Sequence, residues 1–377
     1  MRLLHTTSLL FEEFFDNNIP PYAILSHRWE GKEVGFHEFE AAKEQDGPEF
    51  SKIKNFCSFV RQQGLGGDLE WVWIDTCCID KKSSAELSEA INSMFQWYKR
   101  SWACYAYLSS VDADARPRRV QKQQFRQSAW FTRGWTLQEL IAPRQVYFLD
   151  RQWNIIGEKT QLAAEISAIT GIKEYCLNLS EGRNKDIHSP HVSIATKMSW
   201  VSKRETSRLE DMAYCLLGIF DINMPLLYGE GKKAFMRLQL EIIRKSDDES
   251  VFAWTDPDYQ RSFEYYGMLA PWPTWFANCG DIVAEVSSRP PYSMTNKGLE
   301  FHTPAYPASQ KSMDVALNCY RETSGDALRV TIVLFKYGFG NISRYASTLH
   351  RPGFEDYVVL QKQDNYTHVF YIPQEGI

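Results

Sequence analysis

Four short apolar runs punctuate the first 150 positions: YAILS (Tyr22–Ser26), WVWID (Trp71–Asp75), CYAYLS (Cys104–Ser109) and QVYFLD (Gln145–Asp150). Each is strand-length, rich in β-branched or aromatic side chains, and apolar at successive positions. Both faces must then be covered, as in a parallel strand buried between helices. The segments between them change period. In EFSKIKNFCSFVRQQ, Phe50, Ile53, Phe56, Cys57 and Val60 recur at helical spacing. In SSAELSEAINSMFQWYKRS, Leu87, Ile91, Met94, Phe95 and Tyr98 do the same, and Ser83-x-x-Glu86 supplies a capping box. Alternation of strand and helix predicts a parallel α/β sheet with right-handed crossovers.

From residue 156 to 255 the pattern turns helical. QLAAEISAITGI and KKAFMRLQLEIIRKS are two candidates. TSRLEDMAYCLLGIF is a third, with Ser207-x-x-Glu210 as its cap and Leu209, Met212, Ala213, Leu216, Leu217 and Phe220 as its stripe. Residues 256–377 alternate instead. GDIVAEVSS, MDVALNCY, ALRVTIVLFKY and YVVLQK lie between turn signals and predict a C-terminal antiparallel β region. Within it YSMTNKGLEF reads as two strands around an Asn296-Lys297-Gly298 tip. The expected organisation is an α/β core over 1–155, a helical extension over 156–255 and a β-rich region over 256–377. No internal repeat or low-complexity linker separates them.

Composition narrows the classes. Of 377 residues, 44% are hydrophobic and 14% aromatic, enough for a sizeable core. A formal charge of −5 and a pI near 6.0 make no electrostatic case for nucleic acid. No apolar run approaches the roughly 20 residues that span a bilayer. The opening MRLLHTTSLLFEEFFDNN has too short an apolar core for a signal peptide and reads as the start of a cytoplasmic protein. Eight scattered cysteines form no CxxC pair, so buried thiols are expected rather than disulfides or a metal site.

In an open parallel sheet, ligands bind outside the carboxyl ends of the strands. Here those ends are polar: Ser26-His27-Arg28-Trp29 after the first, Asp75-Thr76-Cys77-Cys78 after the second, Ser109-Ser110 after the third. Before the fourth comes WFTRGWTLQELIAP, with Glu139 set among Leu137, Leu140 and Ile141. An unpaired carboxylate in such surroundings is costly and its pKa rises. Glu139 is therefore either half of a buried ion pair, with Arg133 or Arg144, or a catalytic group. His27 and Arg28 read as a surface pair or as ligands of phosphate and ribose, and Asp75 as a loop cap or a site residue. Trp73, Trp97, Trp102, Trp130 and Trp135 serve a core or a stacking platform. GEGKKAF (Gly229–Phe235) lacks true phosphate-loop spacing, nothing local aligns a Cys77/His27 dyad, and KSDDES (Lys245–Ser250) reads as a solvated helix end.

Taken together, YAILSHRW, WVWIDTCCIDK, SEAINSMFQWYKRSWACYAYLS and WFTRGWTLQELIAP resemble the heterokaryon incompatibility (HET) domain of filamentous fungi. The opening MRLLHTTSL and the later SRLEDMAYCLLGIFDINMPLLYGEGKKAFMRLQLEII fit the same family, so the resemblance runs from residue 1 to about 255. HET domains in turn look like relatives of the TIR domain. The resemblance implies a TIR- or flavodoxin-like parallel sheet flanked by helices. It sets GWTLQEL on the TIR glutamate helix, with Thr136 where cysteine is common, and so gives Glu139 the place of the glutamate of NAD⁺-cleaving TIR enzymes. It further implies NAD⁺ as substrate with no resident cofactor, Ser26, His27, Arg28, Trp29, Asp75 and Trp135 as the surrounding site, and self-association. An incompatibility or NLR-like protein is the expected partner, and programmed cell death the outcome. The rival reading is a non-enzymatic death-signalling module in which Glu139 is structural.

Overall fold

The four apolar runs form β3 (Tyr22–His27), β4 (Trp71–Ile74), β5 (Ala103–Tyr107) and β6 (Val146–Leu149). They run parallel, and in space the second precedes the first, followed by the third and fourth, the flavodoxin-like winding. Every residue of β3 is buried, which accounts for its unbroken apolar pattern. The sheet is mixed, not purely parallel. A hairpin of β1 (Arg2–His5) and β2 (Phe11–Glu13) runs antiparallel along β4, and β7 (Ile155–Glu158) runs antiparallel along β6. The helical character expected from residue 156 thus begins only after β7. A tight turn makes that strand: Asp150 accepts from the backbone N–H groups of Gln152 and Asn154, and Trp153 takes a left-handed φ of 69°.

A computed structural model of the protein describes residues 1–15, 18–42, 48–63, 69–112, 118–178, 192–257, 265–286, 289–296, 298–309, 312–322, 327–337, 341–345 and 367–372. They fall into two units. The first comprises Met1–Arg183, Arg204–Ser207 and Tyr214–Leu226 and holds the seven-stranded sheet. Its helices are α1 (Phe36–Ala42), α2 (Pro48–Gln63), α3 (Ser84–Arg100), α4 (Arg118–Arg126), α5 (Thr136–Ile141), α6 (Ala163–Thr170) and α7 (Glu174–Leu177). Register places Trp73 beside Ile24 and Tyr105 beside Leu25, so these two rings leave opposite faces of the sheet. Phe56 and Phe59 of α2 pack edge-on against Tyr105, while Trp97 and Tyr98 of α3 pack against Trp73. One predicted helix therefore covers each face.

Ser83 caps α3 as its sequence pattern requires, accepting from the Glu86 N–H at 3.3 Å, but the Glu86 carboxylate turns to Arg2 instead of closing the box. Ser83→Ala is expected to cost about 1 kcal/mol, measured as a lower urea midpoint.

The second unit comprises Asn184–Lys203, Arg208–Ala213 and Leu227–Ile377. It contains α8 (Ile194–Val201). The helix expected across 206–220 is broken into α9 (Asp211–Tyr214) and α10 (Leu217–Phe220), the latter within the first unit, with Leu209 53% exposed. Glu210 does not cap a helix: its carboxylate accepts from the N–H groups of Gly229 and Gly231 at 2.8 and 2.9 Å. The amides of the GEGKKAF loop thus already hold an anion before α11 (Lys233–Lys245) begins. KSDDES is not a solvated end either. Asp248 accepts from Ile194 and Ser250 N–H groups, and buried Glu249 pairs with Arg289 at 2.9 Å.

Among the described residues every strand pairing of the C-terminal β region is antiparallel. Its strands are β8 (Tyr265–Tyr266), β9 (Ile282–Ala284), β10 (Ser293–Thr295), β11 (Gly298–Ser309), β12 (Ser312–Glu322), β13 (Ala327–Tyr337), β14 (Asn341–Tyr345) and β15 (Thr367–Ile372). They pair in the order β10-β11-β12-β13-β14-β8, with β15 also on β11 and β9 on β12. Gly298, at φ 114°, turns the predicted β10–β11 hairpin; Lys297 at its tip and YVVLQK lie outside the described residues. All eight cysteines are buried thiols in no disulfide.

Candidate functional site

Successive side chains of a strand leave opposite faces, so Ser26 and His27 at the end of β3 build two different clusters. On the α3 side, Ser26 Oγ donates to Glu139 Oε2 at 2.5 Å and accepts from the indole Nε1 of Trp130 at 2.8 Å. The backbone carbonyl of Glu139 accepts from Cys104 Sγ of β5, and the Tyr98 hydroxyl of α3 faces the same carboxylate. Glu139 is only 7% exposed. Burial is the largest influence and drives its carboxyl up; the Ser26 bond opposes that, and the negative charge of Asp75 adds to it. Tyr98 and the Arg204 guanidinium pull the other way, leaving Glu139 at about 8.

The ion pair considered from the sequence is absent. Among the described residues Glu139 has no salt bridge, and Arg133 donates to Ser207. What fixes α5 is a set of backbone contacts. Thr136 Oγ1 donates to the carbonyls of Trp130 and Arg133, and buried Arg204 donates to Arg133 O and Thr136 Oγ1. At the other end, fully buried Lys159 donates to the carbonyls of Leu140 and Pro143, which a helix terminus leaves unmatched. Burial lowers that ammonium to about 8.

On the α2 side the His27 ring is buried between two carboxylates. Nδ1 lies 3.8 Å from Asp75 Oδ1 and Nε2 lies 3.6 Å from Glu33 Oε2. Glu33 was not singled out by the sequence. Its other oxygen accepts from Lys52 Nζ of α2 at 2.5 Å and from the Glu30 N–H at 3.0 Å. Burial pushes Glu33 up, yet the neighbouring imidazole, ammonium and amide outweigh it and hold the carboxyl at about 2. A Cys77/His27 dyad does not form: Cys77 is fully buried and burial pushes its thiol well above the ordinary range.

Asp75 links the clusters to a surface depression. Its Oδ2 accepts from Trp29 Nε1 at 2.8 Å, and Lys81 rests over the Trp29 ring. An open pocket of ≈ 300 Å³ lies between the loops after β3 and β4, lined among others by Trp29, Glu33, Phe36, Thr76, Asp80 and Lys81. Glu139 does not line it. Arg28 is exposed beside Trp29. Trp135, just before α5, is half-buried and makes no hydrogen bond or ring contact with Ser26 or Glu139. The structure therefore brings together Ser26 with Glu139, and His27, Trp29 and Asp75 with one another, but not Trp135.

The profile of the heterokaryon incompatibility protein (HET) family matches residues 22–124, from the first residue of β3 through most of α4. Residues 22–124 thus match a HET domain. Over 252 residues it is 42% identical to vegetative incompatibility protein HET-E-1 of Podospora anserina, an alignment covering 64% of this chain and 18% of that protein. The chain thus spans about 18% of the length of the relative it matches. No solved structure matches it. The HET profile takes in Ser26, His27, Glu33 and Asp75 and ends before Glu139. Among the described residues no helix is long and apolar enough to cross a membrane.

Proposed function

We propose that this HET-domain chain acts in heterokaryon incompatibility by cleaving the bond between nicotinamide and ribose in NAD⁺. Glu139 is the group that stabilises the positive charge developing on the ribose. The observation that supports this best is the Glu139 carboxylate itself: buried, bonded to Ser26 at the carboxyl end of β3, and within electrostatic reach of Asp75. Open parallel sheets take their ligands at such strand ends. Glycosides of alcohols need an acid to protonate the leaving oxygen. Nicotinamide instead departs from a pyridinium as a neutral molecule, taking the electron pair of the C1′–N bond, so no general acid is required. An oxocarbenium-like ribose remains, and a carboxylate is suited to stabilise it. Water then adds at C1′ and releases a proton. Exposed Arg28 supplies a charge-assisted donor for the pyrophosphate.

Self-association belongs to this reading, a neighbouring copy completing the site. The experiment is nicotinamide release by the purified chain at low and high protein concentration, followed by chromatography. Release per molecule is expected to rise with concentration. No release from protein forced to oligomerise would overturn the reading.

One observation favours a second reading. Glu139 does not line the pocket, and its side chain is hydrogen-bonded inside the protein. On that reading the domain is a non-enzymatic death-signalling module working through protein contacts, and Glu139→Gln leaves killing intact.

A further inference from the structure

Trp29 stands 47% exposed on the loop after β3. The bond from its indole N–H to Asp75 at 2.8 Å ties the ring in place. Over that ring lies the Lys81 ammonium, 3.6 Å from the centroid. A lysine ammonium is strongly hydrated and sits on a flexible stem, so its place on the indole face marks a spot where positive charge is attracted. Both residues line the ≈ 300 Å³ pocket, which also presents Glu33, Glu38 and Asp80, with Phe36 as a second aromatic wall. Each of the three carboxylates already has a partner, Glu33 in Lys52 at 2.5 Å, Glu38 in Lys32 at 3.2 Å and Asp80 in His37 at 3.1 Å, so the Trp29 face is what holds the Lys81 cation here. The volume is at the small end for ligand pockets, suited to one substituted ring and not to a whole dinucleotide.

We infer that this pocket is a binding site for a flat cationic heteroaromatic ring of the pyridinium class, and that Lys81 is its resident stand-in, displaced when the ring stacks on Trp29. The displaced ammonium, next to Lys82, is then available to a phosphate on the same ligand. The identity of the ring as the nicotinamide half of NAD⁺ rests on the proposed function; the preference for a flat cation does not. Asp75 connects the two ideas, because it bonds Trp29 and its charge is felt at Glu139.

The test is calorimetric titration of the full chain with N-methylnicotinamide, a pyridinium with no ribose to cleave, against neutral nicotinamide. Thermal unfolding checks that each variant is folded. The cation is expected to bind more tightly than the neutral ring. Lys81→Met should tighten it about threefold, the scale of a surface cation–π contact, and Trp29→Leu should weaken it at least about tenfold. If Trp29→Leu does not fold, Trp29→Phe, which keeps a ring with a weaker face, should weaken binding severalfold. Equal binding of both ligands, or unchanged or weaker binding in Lys81→Met, would overturn the inference. NAD⁺ cleavage followed in parallel separates the two claims. Cation binding without cleavage counts against the NAD⁺-cleaving reading alone, and cleavage without cation binding counts against this site alone.

Discussion

Glu139→Gln is expected to reduce nicotinamide release by at least about 10²-fold while leaving the protein folded, the scale seen when one group that stabilises transition-state charge is removed. Folding survives because glutamine still offers an oxygen to Ser26, and no salt bridge is broken. The pH dependence of stability supplies an independent sign. Below the ordinary carboxyl range, folded and unfolded chains both carry the Glu139 proton. Between there and about 8 the folded chain keeps it while the unfolded chain loses it. The contribution of Glu139 is thus complete in acid and is lost as pH rises through about 8, by at most about 1.4 kcal/mol per unit. Denaturant midpoints from pH 5 to 8 should therefore fall more steeply for the wild type than for Glu139→Gln. A variant destabilised by roughly 3–5 kcal/mol at every pH would instead behave as a broken buried ion pair.

Gly218→Ala should be among the most destabilising single changes in the first unit. A Cβ at Gly218 would lie 2.0 Å from the Cβ and 2.5 Å from the Cγ of Phe95, a buried residue of α3. Because the clash falls at the root of the side chain, no rotamer of Phe95 relieves it, and α10 must shift off α3. Overpacking typically costs about 1–3 kcal/mol, and the upper end is expected here in chemical denaturation. Since α3 also carries Tyr98, which faces Glu139, activity should fall with stability. A variant within about 0.5 kcal/mol of wild type would show that the two helices do not meet as closely as the structure has them.

The parts legible in the sequence are those whose burial leaves a period. β3 to β6 announced themselves because both faces are covered, and α2 and α3 because one stripe meets the sheet. β7 depends on a turn made by Asp150 and a left-handed Trp153, which no apolar period records. The segment 206–220 has a helical stripe, yet Glu210 is drawn to Gly229 and Gly231 and the helix breaks. At the site, Glu139 stood out because a carboxylate amid Leu137, Leu140 and Ile141 demands a reason. Its partner Ser26, 113 positions away, shows in the sequence only as a polar strand end. Glu33 lies in a polar loop with no pattern, and its importance appears only when His27 and Lys52 converge on it. Trp135 is near Glu139 in sequence, four positions before it at the start of α5, yet it stays half-buried and makes no hydrogen bond or ring contact with that carboxylate.

The most direct test of the role given to Glu139 is kcat/KM for nicotinamide release from NAD⁺ between pH 5 and 9, on assembled wild type and on Glu139→Gln. On the proposed function the active form is the carboxylate, and burial makes Glu139 hold its proton up to about 8. The wild-type profile should climb about tenfold per pH unit and level off above 8, with the variant near background throughout. Equal release by the variant, or none by assembled wild type at any pH, would contradict the account.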